Sequence, residues 1–207
     1  MHKTFLSYHH ANEQDLKDHL IEKYGGDSFI DKSVSDGDIN TQVSEDYIMR
    51  KIREDYLADT TVTVVLIGAE TAQRPFVNSE IQASLWGDNP AGLIGVVRDE
   101  IYDLVFSQST CKDLTCGCGI SLRSISPGYD LYLPDLIKRN HRFSKTVPHY
   151  NDSDVYCSVV KFSNFEANCE YYINQAYDKR ATMEPAAKRN DSSTPAIRAT
   201  SSPFNFL

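Results

Sequence analysis

Thr61-Val62-Thr63-Val64-Val65-Leu66-Ile67, closed by Gly68, decides the fold. The run is β-branched and nearly all apolar, with no alternation that would leave one face wet. Such a strand is covered on both faces, which is the situation of a central strand in a parallel sheet. Parallel neighbours need crossover connections, so helices must flank the run. They do. Val43 to Leu57 precedes it, with Ile48 and Ile52 four apart on one face. Pro75 to Trp86 follows it, with proline suited to a first helical turn.

Further out the alternation continues. Lys3 to Tyr8 reads as a first strand, Ala11 to Tyr24 as a helix stopped by Gly25-Gly26, and Ser28 to Asp31 as a second strand. Ser33 to Asn40 is a polar loop around Asp36-Gly37-Asp38. Leu93 to Val97 is a fourth strand. Asp99 to Gly128, rich in Ser, Thr, Cys and Gly, reads as an irregular insertion. Tyr129 to Asn140 holds a short helix, Tyr156 to Phe162 a fifth strand, and Phe165 to Tyr177 a last helix. The pattern predicts an α/β domain over residues 1–180, with an open flavodoxin-like parallel sheet of about five strands and helices on both faces. Residues 181–207 shift to Ser, Thr, Pro and Ala and read as a flexible tail, although it ends on the apolar Phe204-Asn205-Phe206-Leu207.

The totals exclude several functions. A net charge of −8 over 207 residues disfavours broad contact with nucleic acid or anionic membranes. No stretch reaches the roughly 18 apolar residues of a bilayer span. The first residues run straight into a strand with no signal region, so a cytoplasmic protein is expected. The cysteines number five, an odd count that argues against a disulfide framework. Cys111, Cys116 and Cys118 fall in one Gly-rich loop, but their C-x4-C-x-C spacing is not the paired spacing of zinc sites, and no histidine lies near them in sequence. Reduced thiols without a metal are expected there.

In an open parallel sheet, ligands bind beyond the carboxyl ends of the strands. That rule selects Ser7, Tyr8, His9 and His10, the Asp36-Gly37-Asp38 loop, Gly68 to Glu70, and Arg98 and Asp99. Neither a G-x-G-x-x-G nor a phosphate-binding P-loop motif follows any strand, and there is no nucleophile elbow. A phosphate-accepting receiver domain needs paired acids after strand one, where this chain has Tyr-His-His. On the third helix, Val77, Ile81, Ser84 and Leu85 form the inward stripe at 3.6-residue spacing, and Glu80 lies on its border. A carboxylate there is costly unless it is used, reaches water, or pairs with a base such as Arg74.

Three segments together resemble the TIR-like family. Thr4-Phe5-Leu6-Ser7-Tyr8 is similar to its first motif, a strand ending in Ile/Leu-Ser-Tyr. Ser33 to Asn40 sits where the family carries the loop after strand two. Val64 to Gly68 followed by Arg74-Pro75-Phe76-Val77-Asn78-Ser79-Glu80-Ile81 resembles its third strand and the W-V-x-x-E helix start, with Phe76 in place of tryptophan. The likeness is nearest to the bacterial TIR proteins of the Thoeris antiphage system and is carried by residues 1 to about 97.

The resemblance implies an enzyme that cleaves the nicotinamide–ribose bond of NAD, taken as substrate with no separate cofactor, with Glu80 as the catalytic carboxylate. It implies an ADP-ribose-derived product, cyclic or conjugated, that reaches a downstream nucleotide-sensing effector by diffusion, and it implies self-association. Phe5, Ser7, Tyr8, His9 and Asp36 are the expected substrate contacts. Plain packing for Phe5 and turn formation for Asp36 are the competing readings. For the whole chain, the competing reading is a non-catalytic TIR-type module that works by self-association.

Overall fold

The computed structural model describes residues 2–25, 29–30, 44–112, 114, 116–142 and 151–187. Strands β1 (Thr4–Ser7), β2 (Phe29–Ile30), β3 (Val62–Ile67), β4 (Gly92–Val97) and β7 (Cys157–Lys161) form one parallel sheet in the order β2-β1-β3-β4-β7. This is the flavodoxin-like order, in which the strand sequence reverses between β1 and β3. Helices α1 (Gln14–Tyr24), α7 (Phe162–Ala167) and α8 (Cys169–Thr182) cover one face. Helices α2 (Glu45–Tyr56), α3 (Pro75–Ser84), α5 (Gly128–Tyr132) and α6 (Asp135–His141) cover the other.

The period of two in β3 shows why its sequence is apolar throughout. Val62, Val64 and Leu66 pack with Leu16 and Leu20 of α1 and Ile173 of α8. Val65 and Ile67 point the other way, to Val77 and Ile81 of α3 and Ile137 of α6. Burying each such side chain stabilises the fold by about 1.5–3 kcal/mol relative to exposure. Phe5 leads a third cluster with Ile48, Met49 and Ile52 of α2 and Ala83 of α3. Ser44 starts α2 by accepting the N–H of Tyr47 on its hydroxyl. At Gly92, where β4 begins, a Cβ would collide with the carbonyl of Ala176, so α8 lies against bare backbone there.

The segment read as irregular, 99–128, carries regular elements. It holds α4 (Asp99–Val105), opened by two acids in its first turn, and the antiparallel hairpin of β5 (Phe106–Thr110) and β6 (Ser121–Ile125). Phe-Ser-Gln-Ser-Thr and Ser-Leu-Arg-Ser-Ile carry neither an apolar run nor clean alternation, because most of the hairpin faces water. The helix expected over 129–140 is split into α5 and α6, with Pro134 at the break. The last helix is likewise split, at Asn168.

The fold continues past residue 180. Met183 and Ala187 pack on the α3-side core. Asn140 brackets Ala186, donating to its carbonyl at 3.1 Å and accepting its N–H at 2.8 Å. Among the described residues no helix is long and apolar enough to cross a membrane.

Candidate functional site

The strand order reverses between β1 and β3, and in open parallel sheets ligands bind beyond the carboxyl ends of the strands at such a switch point; the selected residues gather there unequally. Ser7 is the last residue of β1 and is fully buried. Strand alternation sends Ser7 and Phe5 to the α3 side of the sheet and Leu6 and Tyr8 to the α1 side. On the α3 side Ser7 meets Glu80, donating from its hydroxyl to the carboxylate at 2.6 Å. Glu80 is 1% exposed.

That burial is deeper than a border position would give. The cause is that α3 is enclosed by α2, α6, β1 and β3, so every residue from Val77 to Ser84 is buried. Arg74 pairs instead with Glu70, four residues back on the surface. The carboxylate of Glu80 is therefore held inside the protein by a hydroxyl, at the end of the sheet where ligands bind.

Phe5 is wholly enclosed in the α2–α3 cluster and forms packing beneath Ser7. Tyr8 belongs to the opposite cluster. Its hydroxyl donates to Gln14 at 3.2 Å, and its ring stacks on His10 at 4.7 Å. The sheet thus separates the Tyr8 ring from the Ser7–Glu80 pair. His9 follows on the loop. Its carbonyl accepts the N–H groups of Asn12 and Glu13, which fixes the turn into α1. Its Nδ1 is buried with no hydrogen-bond partner among the described residues. Burial, then the charges of Arg74 and His10, lower its pKa from 6.5, so the ring is neutral at physiological pH. Asp36 lies outside the described residues.

A second buried carboxylate, Glu13, escaped the sequence reading. It accepts from the Thr71 hydroxyl at 3.0 Å and stands 3.9 Å from Nε of Arg98. The Thr71 oxygen in turn accepts the N–H of Gly68 at 2.9 Å. Arg98 also donates to the carbonyl of Asn12 and pairs with Asp15. These contacts tie together the loops after β1, β3 and β4. Burial raises the pKa of Glu13, outweighing the lowering by Thr71 and Arg98. The only signal in the sequence was an acid at a helix entry, where acids are common. At Gly68 a Cβ would strike the Glu13 carboxylate, so a side chain there would have to displace it.

Clefts of about 410, 490 and 530 Å³ lie elsewhere, along α8 and beside the residues preceding β4 and β7. Neither Ser7 nor Glu80 lines any of these three.

The sheet order agrees with comparison against protein families. Residues 5–101, just under half of the chain, match the family described as Thoeris protein ThsB, TIR-like domain. These residues are similar to that TIR-like domain. The comparison with curated proteins gives no match. The matched stretch begins at Phe5 in β1 and ends in α4, so it contains Ser7, Glu13, Thr71 and Glu80. The hairpin, α5 to α8 and β7 lie beyond it.

Proposed function

We propose that the TIR-like domain cleaves the bond between nicotinamide and ribose in NAD and releases an ADP-ribose-derived signal, cyclic or conjugated, in defence against phage. The observation that carries this reading is the buried Glu80 carboxylate, held by the Ser7 hydroxyl at 2.6 Å at the carboxyl end of β1. Breaking that bond passes through an oxocarbenium-like ribose, as in glycoside cleavage. Nicotinamide leaves as a neutral group, so acid assistance is minor. The need is a fixed carboxylate that binds the ribose hydroxyls and offsets the growing positive charge. A neutral His9 at the same edge offers a ring nitrogen to hydrogen-bond the substrate. Water attacking the ribose gives ADP-ribose, a ring nitrogen of the same molecule gives a cyclic product, and a second small molecule gives a conjugate.

The reading includes a cytoplasmic site of action, self-association through the 33–40 loop or the tail, and a nucleotide-sensing effector as the receiver of the product. The test is incubation of purified protein with NAD, with and without a crowding agent, reading nicotinamide by chromatography. Release by the parent and not by Glu80→Gln supports the proposal. Equal release by both variants removes Glu80 from its role. A second reading, a non-catalytic module, is favoured by the fact that Ser7 already supplies Glu80 with a donor inside the chain. Concentration-dependent assembly with no nicotinamide release under either condition would establish it.

A further inference from the structure

The proposed reaction makes no use of the β5–β6 hairpin, yet its tip is specifically built. The ladder runs from Phe106↔Ile125 to Thr110↔Ser121. One step further, the N–H of Cys111 donates to the carbonyl of Ile120 at 2.9 Å, which fixes Cys111 at the mouth of the turn. Gly117 and Gly119 then take φ of 60° and 61°, left-handed values that glycine adopts without steric cost. They flank Cys118 and bend the chain on both sides of it. As a result the sulfur atoms of Cys111, Cys116 and Cys118 all lie within 4.8 Å of one another. No disulfide joins them. Hydrogen bonding to Cys118, and more weakly to Cys111, pushes the Cys116 thiol above its ordinary pKa, as expected of thiols that face each other.

We propose that Cys111, Cys116 and Cys118 form a site for one soft metal ion, zinc above all, bound as three thiolates with the fourth position taken by water or another donor. Zinc–sulfur bonds of about 2.3 Å in a tetrahedron set the sulfurs roughly 3.8 Å apart. The cluster therefore needs to contract by about 1 Å or less, within the reach of cysteine rotamers on a surface turn. Along the chain the C-x4-C-x-C spacing is irregular and speaks against a metal. Spacing along the chain is a proxy for convergence in space, and here the ladder and the two left-handed glycines supply the convergence. Three thiolates select a thiophilic ion over calcium or magnesium, which require oxygen donors.

The hairpin has a physical need for such a clamp. A two-stranded hairpin is marginal in water on its own. The base of this one is fixed. The Arg123 guanidinium lies over the Phe106 ring at 4.1 Å, donates to Tyr102 at 2.9 Å and to the Val159 carbonyl at 2.6 Å, and pairs with Asp152. The tip buries almost nothing, with Leu114 98% and Ile120 46% exposed. A metal would do there what a core does elsewhere, and would hold Leu114 out on a rigid turn. Binding must displace thiol protons, so affinity falls as pH falls.

The test uses the full chain, kept reduced and stripped of metal with a chelator. Titration with Zn2+ alone, followed by calorimetry and by elemental analysis after dialysis, should give one zinc per chain with a Kd tighter than about 1 µM. The triple variant Cys111→Ser, Cys116→Ser, Cys118→Ser should bind at least about 100-fold more weakly, while its circular dichroism stays that of the parent. Co2+ added to the parent should give thiolate-to-metal charge-transfer absorption, a readout that needs no variant. Hydrogen exchange over 106–125 should slow with Zn2+. Absent or weaker binding in the parent, no cobalt–thiolate band, or equal binding by the triple variant would overturn the proposal.

Discussion

Ser7 and Glu80, 73 positions apart, meet through a single 2.6 Å hydrogen bond that joins the end of β1 to the second turn of α3. The bond orients one carboxylate oxygen and leaves the other to further contacts. If Glu80 serves the ribose, Glu80→Gln should lower nicotinamide release by about 100-fold or more, since shape is kept and charge is lost. Ser7→Ala should act more weakly on rate and should also destabilise the fold by about 1–3 kcal/mol, because it strips a donor from a buried acceptor. Steady-state rates together with urea denaturation separate the two effects. A Glu80→Gln enzyme as fast as its parent would sink the catalytic role.

Two glycines make a matched pair of tests. Gly92→Ala drives a Cβ into the carbonyl of Ala176, where rigid backbone cannot give way, and should cost about 1–3 kcal/mol without altering activity per folded molecule. Gly68→Ala meets instead the Glu13 side chain, which can swing away at the expense of its Thr71 bond. It should change activity more than stability. Thermal melts and initial rates on both variants decide, and a Gly92→Ala protein as stable as the parent would contradict the packing of α8 on β4.

These tests rest on features that the sequence disclosed to different degrees. The sheet was legible because β3 and β4 are apolar on both faces, a pattern that only a doubly covered strand tolerates. Glu80 was legible as a carboxylate on the border of an apolar stripe. Its depth was not, since that depends on α2 and α6 closing around α3. Glu13 was hidden, because an acid at a helix entry is ordinary and only the contacts of Thr71 and Arg98 make it part of the site. The hairpin was hidden by its polarity, and the meeting of Cys111 with Cys118 by a turn that spacing does not encode. Tyr8 was chosen by position along the strand, whereas the parity of the strand sends its ring to the opposite face.

The buried Glu13 makes a prediction about rising pH. Its folded pKa is raised above the ordinary 4.5, chiefly by burial, so the folded state holds the proton more tightly than the unfolded one. Stability from this group is therefore full below about 4.5 and is lost as pH rises through the folded value. Glu13→Gln cannot ionise and should escape that loss. The difference in unfolding free energy, variant minus parent, should grow in favour of the variant as pH rises from 4.5 and then level off. A difference that stays flat across the window would show that Arg98 and Thr71 fully compensate the charge.

His141 predicts the opposite slope. It sits 2% exposed in α6, with Nδ1 at 2.9 Å from the carbonyl of Cys157 and Nε2 at 3.3 Å from the Arg123 guanidinium. Burial lowers its pKa below 6.5, and Arg123 and Lys179 add to the lowering, while Asp152 and the Cys157 carbonyl oppose it. The unfolded chain thus takes up a proton that the folded state refuses. Stability is full above 6.5 and is lost as pH falls through the folded value. His9 is shifted in the same direction, so the parent carries both contributions. His141→Gln should be less stable at neutral pH, having lost the ring packed against Phe106 and Tyr129. It should nevertheless lose less on acidification from about pH 7 to about pH 5.5, because the contribution of His141 is gone while that of His9 remains. Urea unfolding of both proteins at several pH values measures the two slopes. Equal slopes would mean that the buried imidazole is already accommodated as a cation between Asp152 and the Cys157 carbonyl, and the lowered pKa assigned to His141 would be wrong.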